Sequence, residues 1–159
     1  MKRMQRAGRM FKRTVVLGGR LTKNSLVRVS LQCLFGGVGY GLIEVIWRGY
    51  THPSMVITGG FCFAMICAVN RRFAGRPLFF RSVACTMGVT LAEFCVGMLV
   101  NRLWQMDVWD YSDEWLHLFG QICPLYSCIW FLIGLCICAL YHAVFVVSDT
   151  GKKSATLRK

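Results

Sequence analysis

The sequence predicts an all-α membrane protein: four helices cross the bilayer, and both termini lie in the cytoplasm. Three observations predict it. Hydrophobic residues make up 55% of the 159 and charged residues only 16%, whereas a soluble domain carries about a quarter charged. The apolar residues gather into four runs, each near the length needed to cross about 30 Å of hydrocarbon. Finally, Lys and Arg are segregated. Of the 19, 17 fall in the first, third and fifth segments between those runs and 2 in the second and fourth. Cytoplasmic segments carry that excess, which sets the orientation.

The elements follow in chain order. Residues 1–26 form a basic arm whose apolar stretch, Val15 to Leu17, is far too short for the core of a signal peptide. The arm reads as cytoplasmic, in contact with anionic lipid. Residues 27–147 form the transmembrane domain, with spans at 27–47, 54–70, 82–100 and 122–147. The second is short for a bilayer, and the fourth is long enough to tilt. Between the third and fourth spans lies 101–121, NRLWQMDVWDYSDEWLHLFGQ, an outward loop too polar to span. Its Trp104, Trp109 and Trp115 suit an aromatic belt at headgroup level. Residues 148–159 form a basic cytoplasmic tail.

Charge and cysteine content narrow the function classes. A net charge of +12 suggests nucleic acid in a soluble chain, but blocks of Lys and Arg flanking apolar runs are topology signals and headgroup contacts. Nucleic acid is therefore not an expected partner. The nine cysteines all sit in or beside apolar runs with no CxxC pair. They read as small packing residues rather than disulfides or a metal site. No cofactor is expected, and the chain lacks the G-x-x-x-x-G-K-[ST] loop of an ATPase.

Two of the seven acids, Glu44 and Glu93, lie inside spans. A carboxylate in hydrocarbon is costly unless paired, protonated or facing a wet cavity. In the first span Gly37, Gly41, Glu44 and Arg48 share one helical face, and in the third Thr86, Thr90, Glu93 and Gly97 repeat that spacing. Small residues on these stripes let another helix approach, within the chain or in a homo-oligomer. The outer loops add His52, Ser54, Asp110, Tyr111, Ser112 and Gln121 at the same level. Together with Glu44, Arg48 and Glu93 they make a candidate site for a cation, a proton or a headgroup. A structural reading stays open for the glutamates: Glu44 with Arg48 as a plain i,i+4 ion pair, and Glu93 as a hydrogen-bonded acid between helices.

The stretch GLIEVIWRGYTHPSM (Gly41 to Met55), the pair Gly59–Gly60, and VWDYSDEWLHLFGQICPLYSCIWF (Val108 to Phe131) resemble the type IV ABC-transporter, or CmpB-like, family of bacterial membrane permeases. The resemblance covers most of residues 30–147. It implies a multi-pass inner-membrane protein of permease type whose ATPase is a separate subunit, docking at the cytoplasmic loop from Asn70 to Arg81. The motif residues it carries over are Glu44, Arg48, Thr51, His52, Ser54, Glu93, Trp109, Asp110, Tyr111, Ser112, Gly120 and Gln121. Pro53 stands where that family carries a large aromatic. A membrane-embedded enzyme or an accessory sensor acting at the outer leaflet is the alternative function.

Overall fold

The computed structural model describes residues 25–156, with side chains described through residue 143. Almost all of the basic arm, and the side chains of the tail, lie outside the described residues.

Among the described residues four α-helices make up the fold: α1 (Ser25–Arg48), α2 (Pro53–Arg72), α3 (Leu78–Gly97) and α4 (Pro124–Thr156). All four are long and apolar enough to cross a membrane. α1 ends with Arg48 in its last turn, where a cation favours the helix dipole. Gly49 then adopts φ +80° and its N–H bonds the Val45 carbonyl at 2.9 Å, the usual glycine stop. Four residues later α2 begins. Its N-cap is His52, and Pro53 occupies the first turn, where a missing N–H costs nothing. Pro53 thus starts a helix.

The helices run past the apolar runs of the sequence. α3 begins at Leu78, ahead of the expected start at 82, because Pro77 stops any earlier helix. It continues beyond Gly97 into a π-helical stretch, Met98–Leu103. α4 does not stop at 147 but continues to Thr156, so at 1.5 Å per residue it is about 50 Å long.

α1 packs mainly on α2 and α4 mainly on α3, and α2 joins the two pairs. The α1–α2 seam is built on glycine. A Cβ at Gly37 would stand 2.7 Å from the Val56 carbonyl oxygen, and one at Gly60 would strike the Cys33 carbonyl. Gly41 faces the same helix, with Val56 Cγ2 3.2 Å from the position of its Cβ. The Gly37/Gly41 face is therefore occupied by α2 of the same chain and is not free for another copy. Two buried clusters fill the interior. One is Cys62, Ile66, Cys85, Val89 and Cys138, and the other is Met55, Val100, Val108 and Trp109. All nine cysteines are free thiols. Large apolar side chains such as Ile46, Trp47 and Leu140 face outward, as a lipid-facing surface requires.

α1 and α4 stay largely apart. Their main bridge is a stacked pair, Tyr40 on Trp130, with ring centroids 5.7 Å apart. The gap between these helices leaves the cleft that holds the candidate site.

Candidate functional site

Two adjoining cavities occupy the cleft. The inner one, about 230 Å³, is lined almost wholly by apolar and aromatic side chains, with Glu93 among them. The outer one, about 600 Å³, is lined by Glu44, Arg48, Asp110, Tyr111 and Glu114 together with tryptophans and tyrosines. Tyr40, Ile43, Met55, Trp109, Trp130 and Ile133 line both, so the two form one amphipathic passage.

Glu44 sits near the end of α1 and is buried. Its Oε1 accepts from Arg48 Nη1 at 3.2 Å and its Oε2 from Thr51 Oγ1 at 2.6 Å. The i,i+4 spacing brings the arginine over the acid, and the tight α1–α2 turn brings the threonine. Arg48 also donates through Nη2 to the Val108 carbonyl at 2.6 Å and to the Tyr50 hydroxyl at 3.1 Å, tying α1 to the long loop. The guanidinium is thus shared between the acid and the loop backbone.

Glu93 is equally buried, but its company differs. Oε1 accepts from the Tyr111 hydroxyl and Oε2 from the Trp130 indole N–H, each at 3.0 Å. Among the described residues no arginine bonds it; two neutral donors hold it. Burial, followed by the Glu93 carboxylate, pushes the Tyr111 hydroxyl far up from its ordinary range, so it stays protonated and keeps donating. Tyr111 also stacks on Tyr126 at 4.2 Å between centroids, which fixes its ring.

The remaining sequence-predicted residues form separate local pairs. His52 Nδ1 lies 2.7 Å from Ser54 Oγ and accepts from the Ser54 N–H at 3.3 Å, which caps α2. Asp110 is exposed and turns back on Ser112, accepting from its N–H at 3.0 Å and its hydroxyl at 2.6 Å. Those bonds, the hydroxyl first, hold the Asp110 carboxyl below its usual range. Gln121 is buried beneath the loop, its Oε1 accepting from Asn101 Nδ2 at 2.8 Å and its Nε2 donating to Phe119 O at 3.1 Å. Gly97 makes room there, since a Cβ on it would strike Gln121 Oε1. Of the nine candidates, Glu44, Arg48, Asp110, Tyr111 and Glu93 line the passage, whereas His52, Ser54, Ser112 and Gln121 do not.

Trp109 corrects the expectation of an interfacial belt. It is buried in the second core cluster and its indole N–H donates to the Gln121 carbonyl at 3.2 Å. Trp104 and Trp115 remain exposed. The space left by Gly97 admits the indole, and a belt position would have left Met55 and Val100 uncovered.

Sequence reasoning missed Asn101, Tyr40 and Trp130. Asn101 sits in the π-helical stretch and pins the loop. Nδ2 donates to Trp109 O and Gln121 Oε1, and Oδ1 accepts from Val108 N, all at 2.8 Å. A lone asparagine at the end of an apolar run was the available signal. Tyr40 lies one turn before Glu44 and stacks on Trp130, whose indole holds Glu93; its i,i−4 position was the signal there. Trp130, in the middle of an apolar span, carried none.

Among known proteins, the chain matches the model of a family described as "Putative ABC-transporter type IV" over residues 38–156, about three quarters of its length. That region holds the cleft and every residue lining it except Phe35 and Gly36. No curated protein and no solved structure matches the chain.

Proposed function

The chain belongs to the type IV ABC-transporter family, and from that membership we propose that it is the membrane-spanning subunit of a transport system whose ATPase is a separate chain. The α1–α4 cleft is its ligand site. The observation that carries this is the shape of the passage. Its apolar inner part ends on one carboxylate, Glu93, and its polar outer part carries another, Glu44, beside Arg48. Such a passage suits an amphiphile whose apolar body lies against Phe35 and Trp130 and whose polar head meets Tyr111, Glu93 and Arg48. An opening between two helices that face lipid lets such a ligand enter sideways from the bilayer. A passage of this kind serves transport better than catalysis, because His52 and Ser112 are each committed to a neighbour outside it.

The protein then sits in the bacterial inner membrane with both termini cytoplasmic. Exposed Arg72 and Arg76, at the α2–α3 link, meet the ATPase subunit, and the four-helix chain works as a homo-oligomer. The exposed Leu132 and Leu140 of α4 are part of the surface available for that association. Purification of the tagged chain from its native membrane in mild detergent, followed by mass spectrometry, tests the reading. A stoichiometric copurifying chain with a phosphate-binding loop and ATP hydrolysis is expected. A folded, pure chain with no such companion overturns it.

A further inference from the structure

Donors and acceptors are unequally supplied along the α1–α4 cleft. Among the described residues its lining holds four acids, Glu44, Asp110 and Glu114 in the outer cavity and Glu93 in the inner, against one basic side chain, Arg48. The strong donors there are already spent on the protein. Arg48 gives Nη1 to Glu44 and Nη2 to Val108 O and the Tyr50 hydroxyl. The Tyr111 hydroxyl and the Trp130 indole both go to Glu93, and the Trp109 indole goes to Gln121 O.

The acceptors are not spent. A carboxylate offers about four lone-pair positions. Glu93 uses one on each oxygen, and so does Glu44. An anionic headgroup would find both terminal nitrogens of Arg48 engaged and carboxylates around it. A cationic headgroup finds open acceptors, and Glu93 carries no bonded cation among the described residues.

Aromatic rings add to the same preference. Tyr40 and Trp130, stacked with centroids 5.7 Å apart, line both cavities, as does Trp109. The Tyr111–Tyr126 stack stands in the outer one. The face of an aromatic ring is negative and attracts a cation within about 6 Å of its centroid, most strongly where water is excluded. Phe35, Phe63, Ile133 and Ile137 complete the inner lining and give an apolar chain a surface to lie on.

Resting on the reading of the cleft as the ligand site, we propose that its ligand is a cationic amphiphile, an ammonium on an apolar chain, with the charge held between Glu93 and the Tyr40–Trp130 pair. The chain lies along the inner cavity. Arg48 stays paired with Glu44 and repels a second cation from the outer cavity.

Three probes that share a chain and differ in the charge of the head test it: decyltrimethylammonium, decanesulfonate and decanol. Each is radiolabelled and titrated alone into the full chain in nanodiscs of zwitterionic lipid, with binding to empty nanodiscs subtracted. The ammonium should bind saturably and about tenfold or more tighter than either other probe, and Glu93→Gln should remove that advantage, as expected for one charge-assisted contact. Tyr40→Leu, which serves if Glu93→Gln fails to fold, should weaken the ammonium about threefold or more relative to decanol. Asp113→Asn removes a charge from an exposed position of the long loop outside the lining and should change binding by less than about twofold. Gly39→Trp, which fills the inner cavity, should abolish it.

Equal affinity for the three probes, lost in Gly39→Trp, overturns the cationic ligand and leaves the cleft as a ligand site. Tighter binding of the sulfonate overturns it in favour of Arg48 as the headgroup contact. An ammonium preference that survives Gly39→Trp, or that falls equally in Asp113→Asn, overturns it in favour of surface charge. The absence of saturable ammonium binding overturns it outright, whereas the transport reading stands or falls separately, on the copurifying ATPase.

Discussion

Replacing Asn101 with alanine should unseat the long loop from the helices. Asn101 is buried, and its amide makes three hydrogen bonds at 2.8 Å, to Trp109 O, Gln121 Oε1 and Val108 N. Each bond contributes about 1 kcal/mol net, and each buried partner left unpaired costs about 1–3 kcal/mol. Gln121 Oε1 also loses its donor, because the Nε2 bond to Phe119 O leaves that oxygen unsatisfied, so the penalty applies to all three partners and sets a floor of about 3 kcal/mol. Asn101→Ala should therefore destabilise by about 3–5 kcal/mol. Asn101→Asp keeps the acceptor for Val108 N–H but sets a carboxylate oxygen against two buried carbonyl oxygens, so it should destabilise at least as much as alanine. The effect reaches the cleft, because Val108 O holds Arg48 and the next residues carry Tyr111 to Glu93. Equilibrium unfolding in mixed micelles gives the free energy. The labelling rate of Cys123, a buried thiol just beyond the loop, reports the loop itself in otherwise folded protein. An alanine variant within about 0.5 kcal/mol of native, the usual range for an inconsequential surface change, and with unchanged Cys123 labelling would refute the stapling role.

Two neighbouring glycines should respond in opposite ways. Gly37→Ala brings a Cβ to 2.7 Å from the Val56 carbonyl and should lower stability by about 1–3 kcal/mol as α1 and α2 are forced apart. Gly39→Ala meets nothing within 4 Å and should be neutral or stabilising by up to about 1 kcal/mol, with thermal denaturation in detergent distinguishing the two. Ser112→Ala should raise the titration of Asp110 toward the ordinary carboxylate range, read from carboxyl-carbon NMR shifts. The sign follows from the direction of the shift: Asp110 is held low in the fold, so its contribution is complete above the unfolded value near 3.9 and is lost as pH falls through the folded one. A pH dependence of loop order between those limits should vanish in the Ser112→Ala variant.

The four helices were legible because each apolar run is long and each break carries arginine, glycine or proline. Their ends were less so. Turns beyond the hydrocarbon continue a helix without needing apolar residues, hence the longer α3 and α4. Within the site, the Glu44–Arg48 contact is an i,i+4 neighbour and was visible on the chain. The contacts of Glu93 were not, since Tyr111 is 18 residues away and Trp130 is 37. Such pairings depend on how the loop folds back. The loop turns through left-handed backbone at Gln105, Asp107, Leu116 and Phe119, and of these only aspartate is a residue type that favours that conformation. Polar residues at one depth suggested a single convergence, yet hydrogen bonding is satisfied locally first. His52 with Ser54 and Asp110 with Ser112 are examples. The basic residues at the other end were counted for topology. Only packing reveals that one of them, Arg81, is buried and donates to Asn70 of α2.

The central claim is that the α1–α4 cleft carries the ligand of a transport subunit, and filling that cleft tests it most directly. Gly39 lines the inner cavity and faces open space, so Gly39→Trp places an indole in the passage with no backbone in its way. The measurement is the rate of ATP hydrolysis by the native complex in lipid nanodiscs, with native and Gly39→Trp subunits at equal thermal stability and equal ATPase content. The account predicts a fall of at least about tenfold, equivalent to about 1.4 kcal/mol in the barrier, with the complex intact. An unchanged rate in an intact complex would contradict it.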